Sequence, residues 1–439
     1  KLFLMALFTS NEFYDRHFNE FSKHIYDNEK TLIISNKDSQ LKFKSKKNLD
    51  FILIDFNDDF DTQTNNIKNR YDLIILSDVF EVSHDIIKFL KTLKKYLNFD
   101  GKIIIASINP FWNVPLKILE NLNLKKKSNN RSYIHLKKFS TVLSSVGFDV
   151  VSTKSRQYFP FKFFYLGTFL NNLLEILFYF FNLGIRTYII IKENNLNNEN
   201  NNLSKTIIVP AKNEEGNLLE LIRRVPNLGK NTEVIISCGK SKDNTFELAK
   251  SLKSKHLDIK VIEQSLDGKS NAVWEALEAS SGEIIAILDA DLSVDPEKLV
   301  EFFEIISLNR ADFVNGTRLI YNMEKGSMRF INNVGNRIFQ FIVTLIIRLP
   351  LTDSLCGTKV FKRNLYEKIK FWQSTIKIKD PFGDFDLLFA AAFSGQKILE
   401  LPIHYKSRTY GKTQIKRYRD GFTLIRYLLK SFYKFNSSL

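Results

Sequence analysis

The sequence predicts an α/β protein with two doubly wound domains. Three observations lead to this fold class: isoleucine-rich apolar runs alternate with amphipathic helical patterns, the alternation occurs in both halves, and a polar, asparagine-rich stretch separates them. We therefore expect a first domain at residues 1–191, a linker at residues 192–204 and a second domain at residues 205–439. With 439 residues, 44% of them hydrophobic, the chain is large enough for two cores.

Composition narrows the classes of partner. The formal net charge of +16 indicates an acidic partner, such as nucleic acid, anionic lipid or a phosphorylated substrate. Because the sequence has no nucleic-acid-binding module and no basic stripe interleaved with aromatic residues, nucleic-acid binding is the least favoured hypothesis. Cys238 and Cys356 lie far apart and form no disulfide framework or zinc motif, which favours a reducing compartment. We expect a cytoplasmic location, with peripheral contact at the inner membrane face.

Two apolar segments do not have the properties of membrane-spanning helices. Residues 2–8 are short and lack a small-residue cleavage site, so we interpret them as part of a helix and not as a signal peptide. Residues 158–191 contain Lys162, Glu175 and Arg186, whereas a spanning helix needs about 20 mostly apolar residues. This second segment predicts a buried or interfacial amphipathic helix.

The first half alternates strand-like and helical patterns. Strand-like runs occur at residues 31–35, 51–55, 71–77, 102–107, 148–152 and 186–191. The clearest helical pattern covers residues 85–97, in which apolar side chains fall on one face. The following Asn98-Phe99-Asp100-Gly101 is expected to end this helix and turn into the next strand. The alternation predicts a parallel, doubly wound sheet.

Three segments of this half resemble class I S-adenosylmethionine-dependent methyltransferases: residues 71–81, residues 99–107 and Gly147-Phe148-Asp149-Val150-Val151. The resemblance implies a Rossmann-like domain over about the first 190 residues. In that family a glycine-rich loop after the first strand lets the cofactor approach the backbone. Here Asn36-Lys37-Asp38-Ser39 stands in its place, and Asp55 is the candidate ribose-binding acid. We expect a degenerate domain, kept for structure or partner binding, that does not use S-adenosylmethionine; a bifunctional enzyme is the alternative.

The second half is organised around residues 282–293. Their apolar, isoleucine-rich run predicts a buried parallel strand that ends in Asp289 and Asp291. Ligands of open α/β sheets bind at the carboxyl ends of strands, and residues i and i+2 of an extended segment point the same way. Both carboxylates are therefore expected to face one hard cation, Mg²⁺ or Mn²⁺. The alternative is a polar strand end whose second aspartate caps a turn.

The segments around this strand resemble family 2 glycosyltransferases, including the dolichol- and polyprenyl-phosphate sugar transferases. They occur in the family's order and cover about residues 204–435. The segments are Val209-Pro210-Ala211-Lys212-Asn213-Glu214-Glu215, Gly239-Lys240-Ser241-Lys242-Asp243-Asn244-Thr245, Asp267-Gly268-Lys269-Ser270-Asn271-Ala272, Asp289-Ala290-Asp291, Asn315-Gly316-Thr317-Arg318, Met323-Glu324-Lys325-Gly326-Ser327-Met328-Arg329, Asp353-Ser354-Leu355-Cys356-Gly357-Thr358-Lys359, Asp380-Pro381-Phe382-Gly383-Asp384-Phe385-Asp386 and Arg408-Thr409-Tyr410-Gly411-Lys412-Thr413. The resemblance implies a GT-A nucleotide-diphospho-sugar transferase fold.

The resemblance also implies a donor site. The residues expected to bind the nucleotide sugar are Pro210, Ala211, Asn213, Glu214, Asp243, Lys269, Asp289 and Ala290. Asn213 is in addition placed to cap a helix over residues 214–225. Glu214 and Asp243 are expected to accept hydrogen bonds from base and ribose, and Lys269 to face phosphate, unless it is a solvated surface lysine. Cys238 stands where the family has an acid, which leaves the base open.

Two further aspartates, Asp384 and Asp386, are candidates for the catalytic general base of an inverting displacement. If the acceptor is a lipid phosphate, no base is needed, and the pair is expected to position hydroxyls of the donor sugar. Their alternative role is to cap the helix over residues 385–393.

Basic residues and two amphipathic stretches complete the expected site. Phosphates of donor or acceptor are expected to bind the side chains of Arg318, Arg329, Arg408 and Lys412. Residues 408–411 predict a mobile loop that closes over the diphosphate. Residues 336–349 and 416–430 suit helices at a membrane surface, and packing against the catalytic domain is the alternative for the second. Taken together, we expect a metal-dependent hexosyltransferase that moves a sugar from a nucleotide donor to an acceptor such as polyprenyl phosphate, with inversion.

Overall fold

The computed structural model divides the chain into two units. The described residues are 11–36, 48–54, 67, 69–79, 86–122, 143–144, 146–159, 166–178, 181, 183–194, 203–229, 232–321, 324, 330–408, 410–411 and 417–436. One unit comprises Lys1–Asn194 with Asn436–Leu439, and the other comprises Asn195–Phe435. The division falls inside the asparagine-rich stretch. The expectations for residues 2–8, for the loop at residues 37–39 and for Asp55 concern positions outside the described residues.

The first unit is a six-stranded sheet with helices. Its helices are α1 Asn11–Ser22, α2 Ile86–Lys94, α3 Asn113–Asn121 and α4 Leu166–Leu177. Its strands are β1 Thr31–Asn36, β2 Leu49–Ile54, β3 Tyr71–Ser77, β4 Leu97–Ile108, β5 Phe148–Arg156 and β6 Arg186–Glu193, in the order β2-β1-β3-β4-β6-β5. The predicted strand runs are confirmed for every residue that is described.

Two expectations for this unit are wrong in detail. The sheet is parallel only from β2 to β4, because β6 runs antiparallel to both of its neighbours, β4 and β5. The helix expected at residues 85–97 ends at Lys94, since Leu97 already pairs with Tyr71 as the first residue of β4. Residues 98–101 then form an irregularity within β4 instead of a turn. Pairing with β3 thus overrides the helical periodicity of the local sequence.

The apolar runs of the first unit are buried on both faces of its sheet. Ile74, Leu76 and Ile103 belong to the core on one face, whereas Ile75 and Ile104 belong to the core on the other. Such two-sided burial is why the central strands are almost continuously apolar and not alternating.

The second unit carries a seven-stranded sheet. Its strands are β7 Lys205–Ala211, β8 Thr232–Cys238, β9 Asp258–Glu263, β10 Ile284–Ile287, β11 Phe313–Thr317, β12 Lys359–Lys362 and β13 Ile398–Pro402. Its helices are α5 Glu215–Arg224, α6 Thr245–Ser251, α7 Lys269–Ala279, α8 Leu299–Ser307, α9 Phe330–Ile347, α10 Leu365–Ile376, α11 Asp384–Phe393 and α12 Arg417–Asn436. The sheet order is β13-β11-β12-β10-β7-β8-β9.

The strand order of the second unit creates one crevice. From β7 the chain continues to β8 and β9 on one side and then returns to β10 on the other, with all four strands parallel. This reversal places a crevice at the carboxyl ends of β7 and β10, where open α/β sheets bind ligands. The antiparallel β12 joins β10 to β11 and extends the sheet beyond that crevice. The predicted fold class, with two doubly wound α/β sheets, is confirmed.

Two helices of the second unit leave apolar side chains uncovered. On α9 these are Ile331, Val334, Ile338 and Phe341, and on α12 they are Phe422, Ile425, Leu429 and Tyr433. The spacing within each set, three or four residues, places its members on one helix face. None of the helices in the described ranges has the length and apolarity required to cross a bilayer.

Candidate functional site

The candidate site lies where β7 and β10 end side by side. All four residues of β10 are buried, and the chain leaves the sheet at Leu288, whose backbone N–H donates to the carbonyl of Ile208 on β7 at 3.0 Å. Asp289 and Asp291 follow immediately. The first turn of α5 starts four residues after β7 ends, so Glu214 approaches the same edge of the sheet.

Asp289 is paired with a lysine. Oδ1 of Asp289 lies 2.5 Å from Nζ of Lys269, the first residue of α7. Burial disfavours the charged form of Asp289, but the charges of Lys269 and Lys359 outweigh it and hold the pKa of the carboxyl below its usual range. The backbone of Gly357 abuts this pair so closely that a Cβ there would overlap Oδ2 of Asp289. Lys269 therefore forms an ion pair at this edge of the sheet, with its side chain 27% exposed.

The two carboxylate oxygens of Asp291 accept from different donors. Oδ1 accepts the backbone N–H of Ser293 at 3.0 Å, which is the turn-capping role considered above. Oδ2 accepts from Nη2 of Arg408 at 2.5 Å, and Nη1 of the same arginine lies 3.6 Å from Oε1 of Glu214. One guanidinium thus spans two carboxylates that approach the crevice from different strands.

The carboxyl of Glu214 has a raised pKa. Burial raises its pKa to about 7, and the nearby charges of Asp291 and Asp289 act in the same direction. A hydrogen bond from Asn217 to Oε2, at 2.6 Å, and the charge of Arg408 oppose this rise. Three acidic groups therefore act on one another here, as expected of a site that binds cationic or multiply hydrogen-bonding ligands.

Asn213 and Asp243 join two loops, and the predicted cap at Asn213 is wrong. Asn213 has a left-handed backbone (φ 56°), α5 begins at Glu215, and Oδ1 of Asn213 accepts the N–H of Lys242 at 2.7 Å. Asp243 instead accepts the N–H of Glu215 at 3.3 Å and that of Thr245 at 3.2 Å, at the starts of α5 and α6. Burial opposes ionisation of Asp243, but these hydrogen bonds lower its pKa.

The remaining predicted donor residues are apolar. Ala211 and Ala290 are buried members of one apolar core, whereas Pro210 is half-buried. Cys238, at the end of β8, belongs to the same core, and burial raises the pKa of its thiol to about 11. The alanine side chains carry no polar atom, so only their backbone atoms are available for polar contact.

Asp384 and Asp386 face different surroundings. Oδ1 of Asp384 lies 2.9 Å from Nζ of the fully buried Lys359. Asp384 also contributes to raising the pKa of Lys269, which places it near the Asp289 pair. Asp386 points to the opposite side, where its oxygens accept from Tyr427 at 2.6 Å and Gln373 at 2.9 Å.

Asp380 caps the helix that carries both aspartates. Its Oδ2 accepts the N–H of Phe385 at 2.6 Å and that of Asp386 at 3.3 Å. Burial raises the pKa of Asp380 to about 7, and the charges of Asp386 and Asp384 contribute. The capping considered for Asp384 and Asp386 is thus performed by a residue upstream of them.

Arg318 forms a buried ion pair with Asp353. Its Nε and Nη2 donate to Asp353 at 2.7 and 2.9 Å, and its guanidinium lies 5.2 Å from the ring centroid of Tyr405. This bidentate, buried pair leaves little of the guanidinium for phosphate, in contrast to Arg408. Arg329 and Lys412, expected to bind phosphate as well, lie outside the described residues.

The side chains of this site supply only part of the coordination shell of a divalent cation. Within the ranges that the structure describes, no three His, Cys, Asp or Glu side chains are grouped to hold a metal ion. Mg²⁺ commonly binds one or two carboxylates and completes its shell with substrate phosphates and water. The hard oxygen donors of Asp289 and Asp291 suit that arrangement, with a diphosphate supplying the remaining oxygens.

Several residues of the site were not singled out from the sequence. Asp353, Lys359 and Asp380 lay inside segments that carry the family resemblance, so the motifs themselves were the available signal. Tyr427 had a different signal: Tyr427 and Leu428 follow Leu424 at spacings of three and four residues, and all three are buried on one face of the helix.

The first unit also has a strand-order reversal, between β1 and β3, and its described part is filled by side chains. His17 of α1 lies there, with Nε2 2.8 Å from Oγ of Ser77 and Nδ1 2.8 Å from the hydroxyl of Tyr188. Arg186 of β6 donates twice to Asp78, at 2.6 and 2.9 Å. Burial and the charge of Arg186 hold the pKa of His17 well below its usual range, so the imidazole is neutral at physiological pH.

Comparison with known proteins relates both halves to families. Residues 206–370 match the glycosyl transferase family 2 model, and residues 10–153 match a methyltransferase domain model. A dolichol-phosphate mannosyltransferase of Pyrococcus furiosus is 28% identical over 232 residues, 51% of this chain and 61% of that protein. The low-salt glycan biosynthesis hexosyltransferase Agl6 of Haloferax volcanii is 25% identical over 228 residues, 51% of this chain and 52% of that protein. The chain thus spans between half and two thirds of these relatives' length.

Among solved structures, a glucosyl-3-phosphoglycerate synthase of Mycobacterium tuberculosis in complex with uridine diphosphate is 17% identical. The alignment covers 54% of this chain and 83% of that chain, with a TM-score of 0.40. The family matches agree with both resemblances inferred from the sequence. The chain therefore carries a glycosyl transferase family 2 domain in its second half and a methyltransferase-type domain in its first half.

Proposed function

We propose that the protein is a divalent-metal-dependent glycosyltransferase of the hexosyltransferase class. In this proposal it transfers a sugar from a nucleoside diphosphate donor to a lipid phosphate, with inversion at the anomeric carbon. The observation that carries the proposal is the convergence of Glu214, Asp289 and Asp291 with Lys269 at the β7–β10 crevice. The name of the dolichol-phosphate mannosyltransferase relative supports a lipid phosphate as the acceptor class.

The donor diphosphate is proposed to bind between Asp291 and Lys269. A divalent cation held by Asp289 and Asp291 would neutralise the developing charge on the leaving diphosphate. Lys269 supplies a fixed positive charge beside the start of α7, where backbone N–H groups also face anions. Arg408 pairs with Asp291 and retains an accessible guanidinium edge, so it can turn from the carboxylate to a phosphate.

Asp384 is the proposed contact to the donor sugar. A lipid phosphate already carries the charge of a nucleophile, so its attack needs no general base. Asp384 lies near the Lys269–Asp289 pair and can accept a hydrogen bond from a sugar hydroxyl while Lys359 holds its other side. Asp386 is instead assigned to the support of α11, because both of its oxygens are already bonded. We therefore assign the catalytic role to Asp384 alone.

The membrane surface is the proposed source of the acceptor. The exposed apolar faces of α9 and α12 are accompanied by Arg337 and by Arg419 and Arg426, all exposed. Apolar side chains bordered by basic ones are typical of helices that lie in the interface of an anionic membrane. Such a peripheral position would bring the β7–β10 crevice to a lipid-borne phosphate.

A donor screen tests this function. Purified protein is given a panel of nucleoside diphosphate sugars, Mg²⁺ or Mn²⁺ and a short polyprenyl phosphate, and the anomeric configuration of the product is read by NMR. We expect transfer with inversion that requires the cation and is lost in Asp291→Ala. The matched control is Asp258→Ala, an exposed aspartate on the edge strand β9. Turnover unchanged by Asp291→Ala, or product formation without a divalent cation, contradicts the metal assignment.

For the first unit we propose a degenerate, non-catalytic methyltransferase-type domain. Its support is the His17–Ser77 and Arg186–Asp78 contacts, which fill the described part of the crevice between β1 and β3. Isothermal titration with S-adenosylmethionine tests this proposal. We expect no binding heat, whereas micromolar or tighter binding would favour the bifunctional enzyme.

A further inference from the structure

The hydroxyl of Tyr427 joins three helices of the second unit. The indole N–H of Trp372, on α10, donates to this hydroxyl at 2.6 Å, and the hydroxyl lies 2.6 Å from Oδ1 of Asp386, on α11. Trp372 and Tyr427 are both fully buried. An indole nitrogen can only donate, so the tyrosine oxygen is the acceptor in the first contact and its own proton is directed to the carboxylate.

Asp386 is fixed at both oxygens by this arrangement. The amide of Gln373 donates to Oδ2 at 2.9 Å, while Tyr427 donates to Oδ1. Burial raises the pKa of Asp386 to about 6, and the two donors partly offset that rise by favouring the carboxylate. The side chain is 2% exposed, and both of its oxygens already have donors within the protein.

The fixed carboxylate lies in the same helical turn as Asp384. Asp384 is the first residue of α11, and its partner Lys359 is an additional constraint on the turn. Oδ2 of Asp380 accepts the backbone N–H groups of Phe385 and Asp386 in this turn. The residue preceding the helix, Gly383, has a left-handed backbone (φ 80°). The chain before Asp384 is therefore not helical and does not extend the helix on that side. The orientation of Asp384 therefore depends on side-chain contacts to this one turn.

We propose that Tyr427 is a positioning residue for sugar transfer, which holds Asp384 in place through its hydrogen bond to Asp386. This inference rests on the proposed function, in which Asp384 contacts the donor sugar. Tyr427 lies on α12, a helix that approaches the site only through its buried face, and 41 residues separate it from Asp386. A misplacement of about 1 Å at a reacting centre is sufficient to lower turnover strongly without loss of substrate affinity.

Tyr427→Phe tests the inference, because it removes the hydroxyl and retains the ring that packs on Phe385 and Phe389. We expect kcat for sugar transfer to fall about tenfold, as for a lost hydrogen bond to a charged group, while the donor KM stays within about twofold. The matched control is Tyr366→Phe on α10, a partly buried tyrosine that packs against the same core; its kcat should equal that of the wild type. Thermal melts establish that each variant is folded at the assay temperature.

Two further variants keep the inference testable if Tyr427→Phe does not fold. Gln373→Met removes the other donor to Asp386 from a half-buried position, and it should lower kcat in the same direction by about threefold, again at constant donor KM. Asp386→Asn combined with Tyr427→Phe should lower kcat by less than the product of the single effects, because both changes weaken the same hydrogen bond between Tyr427 and Asp386.

The outcomes separate this inference from the function on which it rests. An active wild type with unchanged kcat in both Tyr427→Phe and Gln373→Met overturns the positioning role and leaves the transferase proposal intact. A rise of donor KM that accounts for the whole loss overturns it as well. A folded wild type without sugar transfer to any acceptor overturns both.

Discussion

Nζ of Lys269 lies 2.5 Å from Oδ1 of Asp289, which joins the first residue of α7 to the loop that follows β10. Lys269 is half-buried; burial by itself would lower its pKa, but Asp289 and Asp384 raise it above the ordinary value. The lysine is therefore charged under all physiological conditions. The pair keeps a positive charge in place at the point where a donor diphosphate is proposed to bind.

Replacing Lys269 should weaken donor binding without unfolding the protein. In Lys269→Met the diphosphate loses a charge-assisted contact and Asp289 is left without its partner, so transfer should fall about a hundredfold, equivalent to about 2.7 kcal/mol. Titration with the nucleoside diphosphate and Mn²⁺ measures the affinity, and an enzyme assay measures turnover. Lys250→Met, at an exposed helical position, is the control. Equal affinity in both variants contradicts a phosphate-binding role.

Arg408 should compete with a divalent cation for Asp291. Its guanidinium contacts Asp291 at 2.5 Å and lies 3.6 Å from Glu214. In Arg408→Met this competition is removed, so Mn²⁺ binding in the absence of donor should tighten by about tenfold. Turnover should fall at the same time, because the guanidinium is proposed to hold a donor phosphate. The measurement is electron paramagnetic resonance of free Mn²⁺.

An unchanged Mn²⁺ affinity in Arg408→Met would show that the cation does not use Asp291. Arg223→Met serves as the control, because Arg223 lies on the exposed side of α5 and pairs only locally with Glu220. Its Mn²⁺ affinity should equal that of the wild type.

The sequence predicted the site best where a strand end determines geometry. Asp289 and Asp291 follow a buried apolar run, so their position in the crevice could be inferred from strand-end rules alone. The cap at Asn213 could not, because the residue takes a left-handed backbone that its capping propensity does not indicate. The different surroundings of Asp384 and Asp386 could not be predicted from the sequence either. It depends on Lys359 and Tyr427, which approach α11 from distant parts of the chain.

Gly357 should tolerate no side chain. A Cβ at this position would overlap Oδ2 of Asp289 and lie 2.7 Å from Nζ of Lys269. Gly357→Ala must therefore displace the ion pair, and we expect a loss of stability of about 1–3 kcal/mol together with a strong loss of transfer. Gly335→Ala is the matched comparison, because its Cβ would meet nothing within 4 Å, and it should stabilise α9 by about 0.5–1 kcal/mol. Urea titrations measure both free energies of unfolding.

Stability should depend on pH through Asp386. Its pKa rises from 3.8 to about 6 on folding, chiefly because of burial, so the folded state binds the proton more tightly. The stabilisation from this group is complete below pH 3.8 and is lost as pH rises through 6. In Asp386→Asn this pH-dependent loss of stability is absent, because an amide does not ionise. The amide oxygen still accepts the hydrogen bond from Tyr427. The free energy of unfolding of the wild type should therefore decrease between pH 5 and pH 7.5 by about 1–1.5 kcal/mol more than that of the variant. Parallel slopes for the two proteins would contradict an elevated pKa.

The exposed apolar face of α12 should bind anionic membranes. Phe422 and Leu429 are 64% and 66% exposed, and Arg419 and Arg426 lie beside them. Burying such side chains in the interface contributes about 1.5–3 kcal/mol each, so Phe422→Glu with Leu429→Glu should weaken vesicle binding by more than tenfold. The measurement is co-sedimentation with vesicles of phosphatidylcholine and phosphatidylglycerol, at low and high salt. The control is Leu219→Glu on α5, which is 65% exposed but lies outside the two helices. Equal sedimentation of the double variant and the control would mean that α12 does not face the membrane.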